Sequence, residues 1–431
     1  MPRLLPALRR QIVRNRIHHL CLVLLCIPFA LLLLPATAYA DDFPVLGVLH
    51  TGGHPEALAV DTQTHLLYIG SEYPGMVIAF DPLGGTVRWR AAPGSVSDIQ
   101  CDSTRHLIYA VAQVNHGNQS MFFVLDGASG HVLAQFPAGS GDSSIAFDTQ
   151  RQIVYVASKD NSTIFTFTST GDTTKAGIHI QPGSLHLGSQ PEALGVNSQL
   201  GRLYVADGKK QTITVFDEQS KHTLASIPVG ELPLAPLRID EASGRIYVVC
   251  STGQELDVID GRTNRVIART PVGPYPEGIA IQSATGRIYV ANEGDREGGP
   301  GSRVHGNTIS VLDGQSFQML GTLAVGQAPD GVEADPVLHR VYVSLEDSGA
   351  VIELVDSTDI VLKADAAHQA LVARQAVHLL QQATVFIVSA MLLTVVGATL
   401  AALLPRWRAR ENPQIPPADA SSRSVRHSLR P

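Results

Sequence analysis

The sequence has little charge for its length, and it is rich in residues that form turns. Only 16% of its 431 residues are charged, whereas 44% are hydrophobic, which is enough to bury a large core. Its 38 glycines and 26 prolines require many turns and argue against a fold dominated by helices.

Cysteine is scarce as well. Of the four cysteines, Cys21 and Cys26 fall in a segment near the N-terminus that we expect to be removed. Cys101 and Cys250 remain, and they fall in different repeats of the pattern described below. We therefore expect both to be buried free thiols, with no disulfide framework, so that packing alone holds the folded part together.

The sequence lacks the motifs that mark several common catalytic sites. It has no His-Glu-x-x-His metal motif, no Gly-x-Ser-x-Gly nucleophile elbow and no phosphate-binding glycine loop. A Cys-x-x-Cys-His haem attachment motif is absent too. These absences favour a binding role over a catalytic one.

The N-terminal segment has the pattern of a secretory signal. Residues 1–40 contain five arginines and no acidic residue, followed by an apolar run and then Ala38-Tyr39-Ala40. This order of basic, apolar and small residues predicts a signal peptide over residues 1–40. An uncleaved anchor is the alternative, but Pro28 interrupts the run, and the run is shorter than a bilayer requires.

A second apolar segment lies near the C-terminus. Residues 383–404 carry no charge and three arginines follow closely, which predicts a transmembrane helix with its C-terminal side in the cytoplasm. A buried core helix is the alternative, although this segment has no polar face. Residues 361–382 have the apolar spacing of a helical stalk. The basic tail, 405–431, has the Pro- and Ser-rich composition of a disordered segment. We therefore expect the part between the two apolar segments to lie on the extracellular or periplasmic side of the cell membrane.

The part between these segments is acidic. Residues 41–362 contain 19 Lys and Arg against 36 Asp and Glu, a net charge of −17. Such a charge repels phosphate backbones and argues against a nucleic-acid partner.

An internal repeat of about forty to fifty residues runs through this acidic part. Each repeat contains a tyrosine that follows a β-branched residue or leucine, and these tyrosines are Tyr68, Tyr109, Tyr155, Tyr204, Tyr247, Tyr289 and Tyr342. Seven residues before each tyrosine stands a polar residue suited to starting a turn, namely Asp61, Asp102, Asp148, Asn197, Asp240, Gln282 and Asp335. A constant offset in seven units indicates seven copies of one structural element.

Each repeat reads as four short strands, the pattern typical of a propeller blade. A blade cannot bury both of its faces alone, so neighbouring blades must stack and the ring must close. Residues 44–49 precede the first complete repeat and resemble a fourth strand, whereas the last repeat runs into the stalk. The sequence therefore predicts an all-β, seven-bladed β-propeller over residues 41–360, with the N-terminal strand completing the last blade.

The repeat consensus resembles the YVTN family of β-propeller repeat proteins, within the wider group of quinoprotein amine dehydrogenase-like and WD-type propellers. The sixth repeat carries the likeness most fully, from Pro276-Glu277-Gly278-Ile279-Ala280 through Tyr289-Val290-Ala291-Asn292 to Val325-Gly326. The likeness covers about residues 43–360. It implies the fold but not the chemistry, because related propellers are scaffolds, ligand binders or enzymes.

Propellers usually bind ligands at one mouth of the central channel, where the innermost strands begin. Four repeats place a carboxylate after proline at this point, and these residues are Glu56, Glu192, Glu277 and Asp330. The aligned residues in the other repeats are Ser97, Ser143 and Ala235. Oxygen ligands of this kind suit a divalent cation such as Ca²⁺, and His54 lies close enough in sequence to serve as a ligand or base. In the alternative interpretation the acids only shape turns and His54 is a solvated loop residue.

Two hypotheses of function follow. The first is a non-enzymatic binding or scaffolding module for a protein, glycan or small ligand, with no resident cofactor. The second is a metal-dependent hydrolase or lactonase at the channel mouth, as in gluconolactonase-like propellers. A propeller subunit of a periplasmic dehydrogenase is a further alternative, which needs a partner that supplies the cofactor.

Two repeats carry insertions between their second and third strands, at 113–119 and at 293–306. We expect polar loops at both places. Long loops on a rigid scaffold often carry recognition, although a tolerated insertion is the alternative.

Overall fold

The computed structural model describes residues 45–356, except 116, 142–143, 171–178, 188 and 296–303. The predicted signal peptide (1–40), stalk (361–382), transmembrane helix (383–404) and tail (405–431) lie outside the described residues. Within the described ranges, no helix has the length and hydropathy that a membrane span requires.

The described residues form twenty-eight strands in seven antiparallel sheets of four. The first half of the chain forms β1 (Val45–His50), β2 (His54–Val60), β3 (Leu67–Tyr73), β4 (Met76–Asp81), β5 (Thr86–Ala91), β6 (Ser95–Asp102), β7 (Leu107–Val114), β8 (Gln119–Asp126), β9 (Val132–Pro137), β10 (Ile145–Asp148), β11 (Ile153–Ser158), β12 (Thr163–Thr170), β13 (His179–His186) and β14 (Ala193–Asn197). The second half forms β15 (Arg202–Asp207), β16 (Thr212–Asp217), β17 (Thr223–Pro228), β18 (Pro233–Asp240), β19 (Arg245–Cys250), β20 (Glu255–Asp260), β21 (Arg265–Pro271), β22 (Pro276–Gln282), β23 (Arg287–Asp295), β24 (Val304–Asp313), β25 (Met319–Ala324), β26 (Pro329–Asp335), β27 (Arg340–Leu345) and β28 (Ala350–Val355).

The sheets are the blades of a closed propeller. Blade 1 contains β2 to β5, blades 2 to 6 each contain the next four strands, and blade 7 contains β26 to β28 together with β1. The innermost strands contact one another in a complete circuit, because β2 contacts both β6 and β26. The predicted all-β fold of seven four-stranded blades is confirmed.

The N-terminal strand closes the ring. β1 pairs antiparallel with β28, so that blade 7 has the order β1-β28-β27-β26. Val48 lies opposite Ile352 in this ladder. The last blade therefore takes its outer strand from the N-terminal end of the chain's propeller region. This strand covers the edge of β28 that would otherwise be exposed.

The repeat tyrosines are core residues. All seven are at most 2% exposed and are among the largest fully buried side chains. Three of their hydroxyls reach the next blade, since Tyr68 donates to the carbonyl of Gly127 at 3.1 Å and Tyr289 donates to Asp356 at 2.6 Å. The third, Tyr155, donates to a carboxylate of blade 4. The repeated tyrosines therefore contribute to the packing between neighbouring blades.

The polar residue seven positions earlier caps the turn that follows the inner strand. In blade 1, the Oδ1 atom of Asp61 accepts the backbone N–H groups of Gln63 and Thr64. Its Oδ2 atom lies 2.7 Å from Nδ1 of His106 in blade 2. A single carboxylate therefore shapes its own turn and joins two blades.

Both insertions predicted as loops are strand over part of their length. β23 and β24 continue into the segment predicted as a loop, with Gly294 opposite His305 and Asp295 opposite Val304. In the longer strands, backbone N–H and C=O groups form hydrogen bonds with each other, whereas in a loop they would have to form them with water. The 113–119 insertion likewise extends β7, so that Val114 pairs with Gln119.

Candidate ligand site at the channel mouth

A cavity of about 450 Å³ occupies the end of the channel where the inner strands begin. The four carboxylates predicted from the sequence, Glu56, Glu192, Glu277 and Asp330, all line it. Ser97, aligned with them in blade 2, lines it as well. Of the other two aligned residues, Ser143 lies outside the described residues and the side chain of Ala235 is not described.

The Pro-x-Gly motif lets the inner strands approach closely at this mouth. A Cβ atom on Gly278 would lie 1.9 Å from the carbonyl oxygen of Asp330, and one on Gly331 would lie 1.9 Å from that of Glu56. Only glycine fits such contacts. Ser344 adds to the second contact, because its Oγ donates to the Glu56 carbonyl and accepts the N–H of Gly331. These contacts fix the backbone from which the acidic side chains extend.

His54 forms a cluster with two carboxylates that the sequence analysis missed. One ligand atom each of His54, Glu72 and Glu346 lies within 4.8 Å of the other two. Nδ1 of His54 is 3.6 Å from Oε1 of Glu346, and its ring meets that of Tyr73 edge to face. Glu72 and Glu346 also line the cavity. This cluster could hold a divalent cation, whereas no three of the four predicted acids form such a set among the described residues.

A signal for Glu72 and Glu346 was present in the repeat. Each stands four residues after a repeat tyrosine. Glu72 lies near the end of β3, and Glu346 directly follows β27. Gln113 and Lys159 occupy the same position in blades 2 and 3, and both line the cavity. In blades 1, 2, 3 and 7, the residue four positions after the tyrosine therefore lines the mouth.

Arg238 lines the cavity and links three blades. It lies on β18 of blade 5, and its Nε donates to the carbonyl of Ile279 in the neighbouring blade 6 at 2.7 Å. Its Nη2 donates to Oε2 of Glu333 in blade 7, also at 2.7 Å. The guanidinium thus joins blades 5, 6 and 7, and it forms an ion pair with a carboxylate two blades away.

Asp98 is the most buried acid of the site. Its oxygens accept the backbone N–H groups of Ile99 and of Ile145 in blade 3, each at 2.7 Å. Burial raises its pKa to about 6, although these N–H groups and the charge of Arg238 favour the ionised form. Asp98 is therefore charged at neutral pH and neutral in mild acid.

The charge of the cavity is strongly negative. Seven carboxyl groups line it, against two cationic side chains. Lys159 is 2.8 Å from Glu192, and Arg238 is paired with Glu333. These two cations are too few to balance the seven acids. A narrow cleft lined by one sign of charge concentrates ligands of the opposite sign. The geometry therefore favours a positively charged group.

Comparison with known proteins supports the fold. No protein-family model matches the chain, and no curated protein matches it. Among solved structures, it is similar to the β-propeller domain of Cps50 (Swd1) from Myceliophteria thermophila, with a TM-score of 0.57 and 9% sequence identity. The similarity covers 72% of this chain and 99% of that one. At this identity the likeness establishes the β-propeller fold and does not extend to a family or a ligand.

Proposed function

We propose that this chain is a non-enzymatic binding module of the YVTN type, anchored in the cell membrane and displayed outside the cytoplasm. Its channel mouth binds a positively charged group of a ligand, such as an amine or guanidinium. The repeat consensus supports the family, and the two apolar terminal segments support the location. The excess of carboxylates around the cavity is the observation that carries the choice of ligand.

The binding part of the proposal is tested with two short peptides of opposite charge, trilysine and triglutamate. We expect the full-length chain to bind trilysine at low salt and not to bind triglutamate, and the affinity to fall as salt screens the cavity. Glu72→Gln and Glu277→Gln each remove one charge from the cavity and should weaken binding by about three- to tenfold.

Glu231→Gln is the matched control. Glu231 is exposed and does not line the cavity. Its substitution should leave the affinity for trilysine unchanged. If the control weakens binding as much as the cavity variants do, the peptide responds to overall charge and the cavity is not the site.

The location is tested separately with intact cells. A protease added outside, after removal of any outer membrane, should digest the propeller of a membrane-bound chain. A chain that stays protected, or that fractionates without membranes, would contradict the anchored arrangement.

A metal-dependent hydrolase is a second candidate, which the cluster of His54, Glu72 and Glu346 favours. It predicts a bound divalent cation that is lost in His54→Ala. Elemental analysis of the purified chain that finds no cation, together with a melting temperature unaffected by chelator, would count against this candidate.

A further inference from the structure

Blade 5 contains a second set of metal-ligating side chains, outside the channel cavity. Ligand atoms of Cys250, Glu255 and Asp257 all lie within 4.8 Å of one another. Cys250 ends β19 and Glu255 begins β20, and these two residues pair across the hairpin. Asp257 lies two residues along the same strand, so the three side chains share one face of the sheet.

Blade 6 shows what this position contains when it is purely structural. The corresponding residues are Asn292, Thr308 and Ser310. The amide of Asn292 donates to the hydroxyls of Thr308 at 3.0 Å and Ser310 at 3.1 Å. These three neutral side chains satisfy one another.

In blade 7 the corresponding residues are apolar, namely Leu345, Ala350 and Ile352. The fold therefore does not require polar side chains at this position. Blade 5 is distinctive because it places a thiol and two carboxylates there. Its one weak S–H donor cannot satisfy both carboxylates, whereas the amide and hydroxyls of blade 6 satisfy one another.

One oxygen of the blade 5 set has no partner. The Oδ2 atom of Asp257 accepts the N–H of Gly230 at 3.0 Å, but its Oδ1 atom is buried without a hydrogen bond. Asp257 is fully buried. A buried carboxylate oxygen without a partner is costly unless a ligand satisfies it.

We propose that Cys250, Glu255 and Asp257 bind one Zn²⁺ ion. A thiolate with two carboxylates suits zinc better than Ca²⁺ or Mg²⁺, which take oxygen ligands, or Cu(I), which prefers sulfur alone. Tetrahedral zinc holds sulfur and oxygen ligands roughly 3.6 Å apart. Glu255 is partly exposed and can rotate to close the remaining distance.

Charge balance agrees with a divalent ion. Arg269 lies 3.7 Å from both Glu255 and Asp257, so its guanidinium offsets one of the two carboxylates. When Cys250 ionises, two negative charges remain, which a divalent cation neutralises. In the absence of metal, burial raises the pKa of the Cys250 thiol to about 12, so it is protonated at neutral pH. Zinc binding then forms the S–Zn bond, breaks the S–H bond and releases that proton to solvent.

Co²⁺ is the probe, because a cobalt–thiolate bond gives a charge-transfer band in the near ultraviolet that oxygen and nitrogen ligands do not give. The full-length chain, first treated with chelator, should take up one Co²⁺ with this band and lose it when Zn²⁺ is added. Cys250→Ser should abolish the band. Asp257→Asn and Glu255→Gln should each weaken uptake at least tenfold.

Cys101→Ser is the matched control and should keep the band. The proposal is wrong if the wild-type chain develops no band, or if the band persists in Cys250→Ser. Cobalt bound at His54, Glu72 and Glu346 would give no thiolate band, so the outcome is independent of the channel-mouth proposal. If Cys250→Ser fails to fold, Asp257→Asn decides, since unchanged uptake by this isosteric variant would also overturn the proposal.

Discussion

Substitution of Glu218 should change how stability depends on pH. Glu218 lies in the turn after β16 of blade 4, and its side chain is fully buried. Oε1 accepts the hydroxyl of Tyr155 and Oε2 accepts Nη1 of Arg151, both at 3.0 Å. Burial, followed by the nearby carboxyl of Asp148, raises the pKa of Glu218 from 4.5 to about 7.

The sign and size of the effect follow from this shift. The native state keeps the proton up to about pH 7, whereas the unfolded chain loses it near 4.5. Protonated Glu218 therefore contributes fully to the free energy of unfolding below pH 4.5. This contribution is lost as the pH rises through 7. Between pH 5 and pH 8 the loss is at most about 2.5 kcal/mol, at about 1.36 kcal/mol per pH unit.

Glu218→Gln cannot ionise and escapes this loss. Relative to wild type, the variant should gain up to about 2.5 kcal/mol between pH 5 and pH 8, or about 5 °C in melting temperature. The assay is thermal unfolding of both proteins at the two pH values, with Glu231→Gln, an exposed acid, as control. A difference between variant and wild type that is the same at both pH values would refute the reasoning.

Three further predictions follow from single contacts. Tyr289→Phe should cost about 1 kcal/mol in thermal or denaturant unfolding, because it removes one of the side-chain donors to the buried Asp356 and leaves Arg287 and Thr285 as the others. Tyr204→Phe should cost less, since that hydroxyl has no hydrogen-bond partner among the described residues. Gly278→Ala should lower the free energy of unfolding by about 1–3 kcal/mol, since its Cβ would meet the Asp330 carbonyl. Gly47→Ala is the control and should cost less, because its Cβ meets only Glu353 at 3.4 Å. Equal melting temperatures of the two variants would contradict this. Trilysine should bind more weakly at pH 5 than at pH 7.5, because Asp98, with a pKa of about 6, becomes neutral. In calorimetry, the affinity of Asp98→Asn for trilysine should depend less on pH than that of the wild type.

Much of the fold could be predicted because the same local sequence pattern recurs in every blade. The fixed offset from Asp61 to Tyr68, recurring in every blade, marks an inner strand, a capped turn and a second strand. Residues 44–49 could be assigned to the last blade because the last repeat lacks its fourth strand. A closed ring requires that strand to come from the other end of the repeat region.

The site was only partly predictable. The acids after proline could be predicted because they share one position of the repeat. Glu72 and Glu346 share another position, but there the residue type varies from acid to amide, lysine, glycine or serine between blades. Arg238 and Glu333 occupy the same position in blades 5 and 7, nine residues before the tyrosine. Their pairing depends on how blades 5 and 7 are arranged around the channel, which no local pattern specifies.

The most direct test of the account is a crystal structure of the chain with trilysine bound. The account predicts a lysine ammonium inside the cavity, within hydrogen-bond distance of carboxylates such as Glu56, Glu277 or Asp330. A peptide bound elsewhere on the propeller, with the cavity unoccupied, would contradict it.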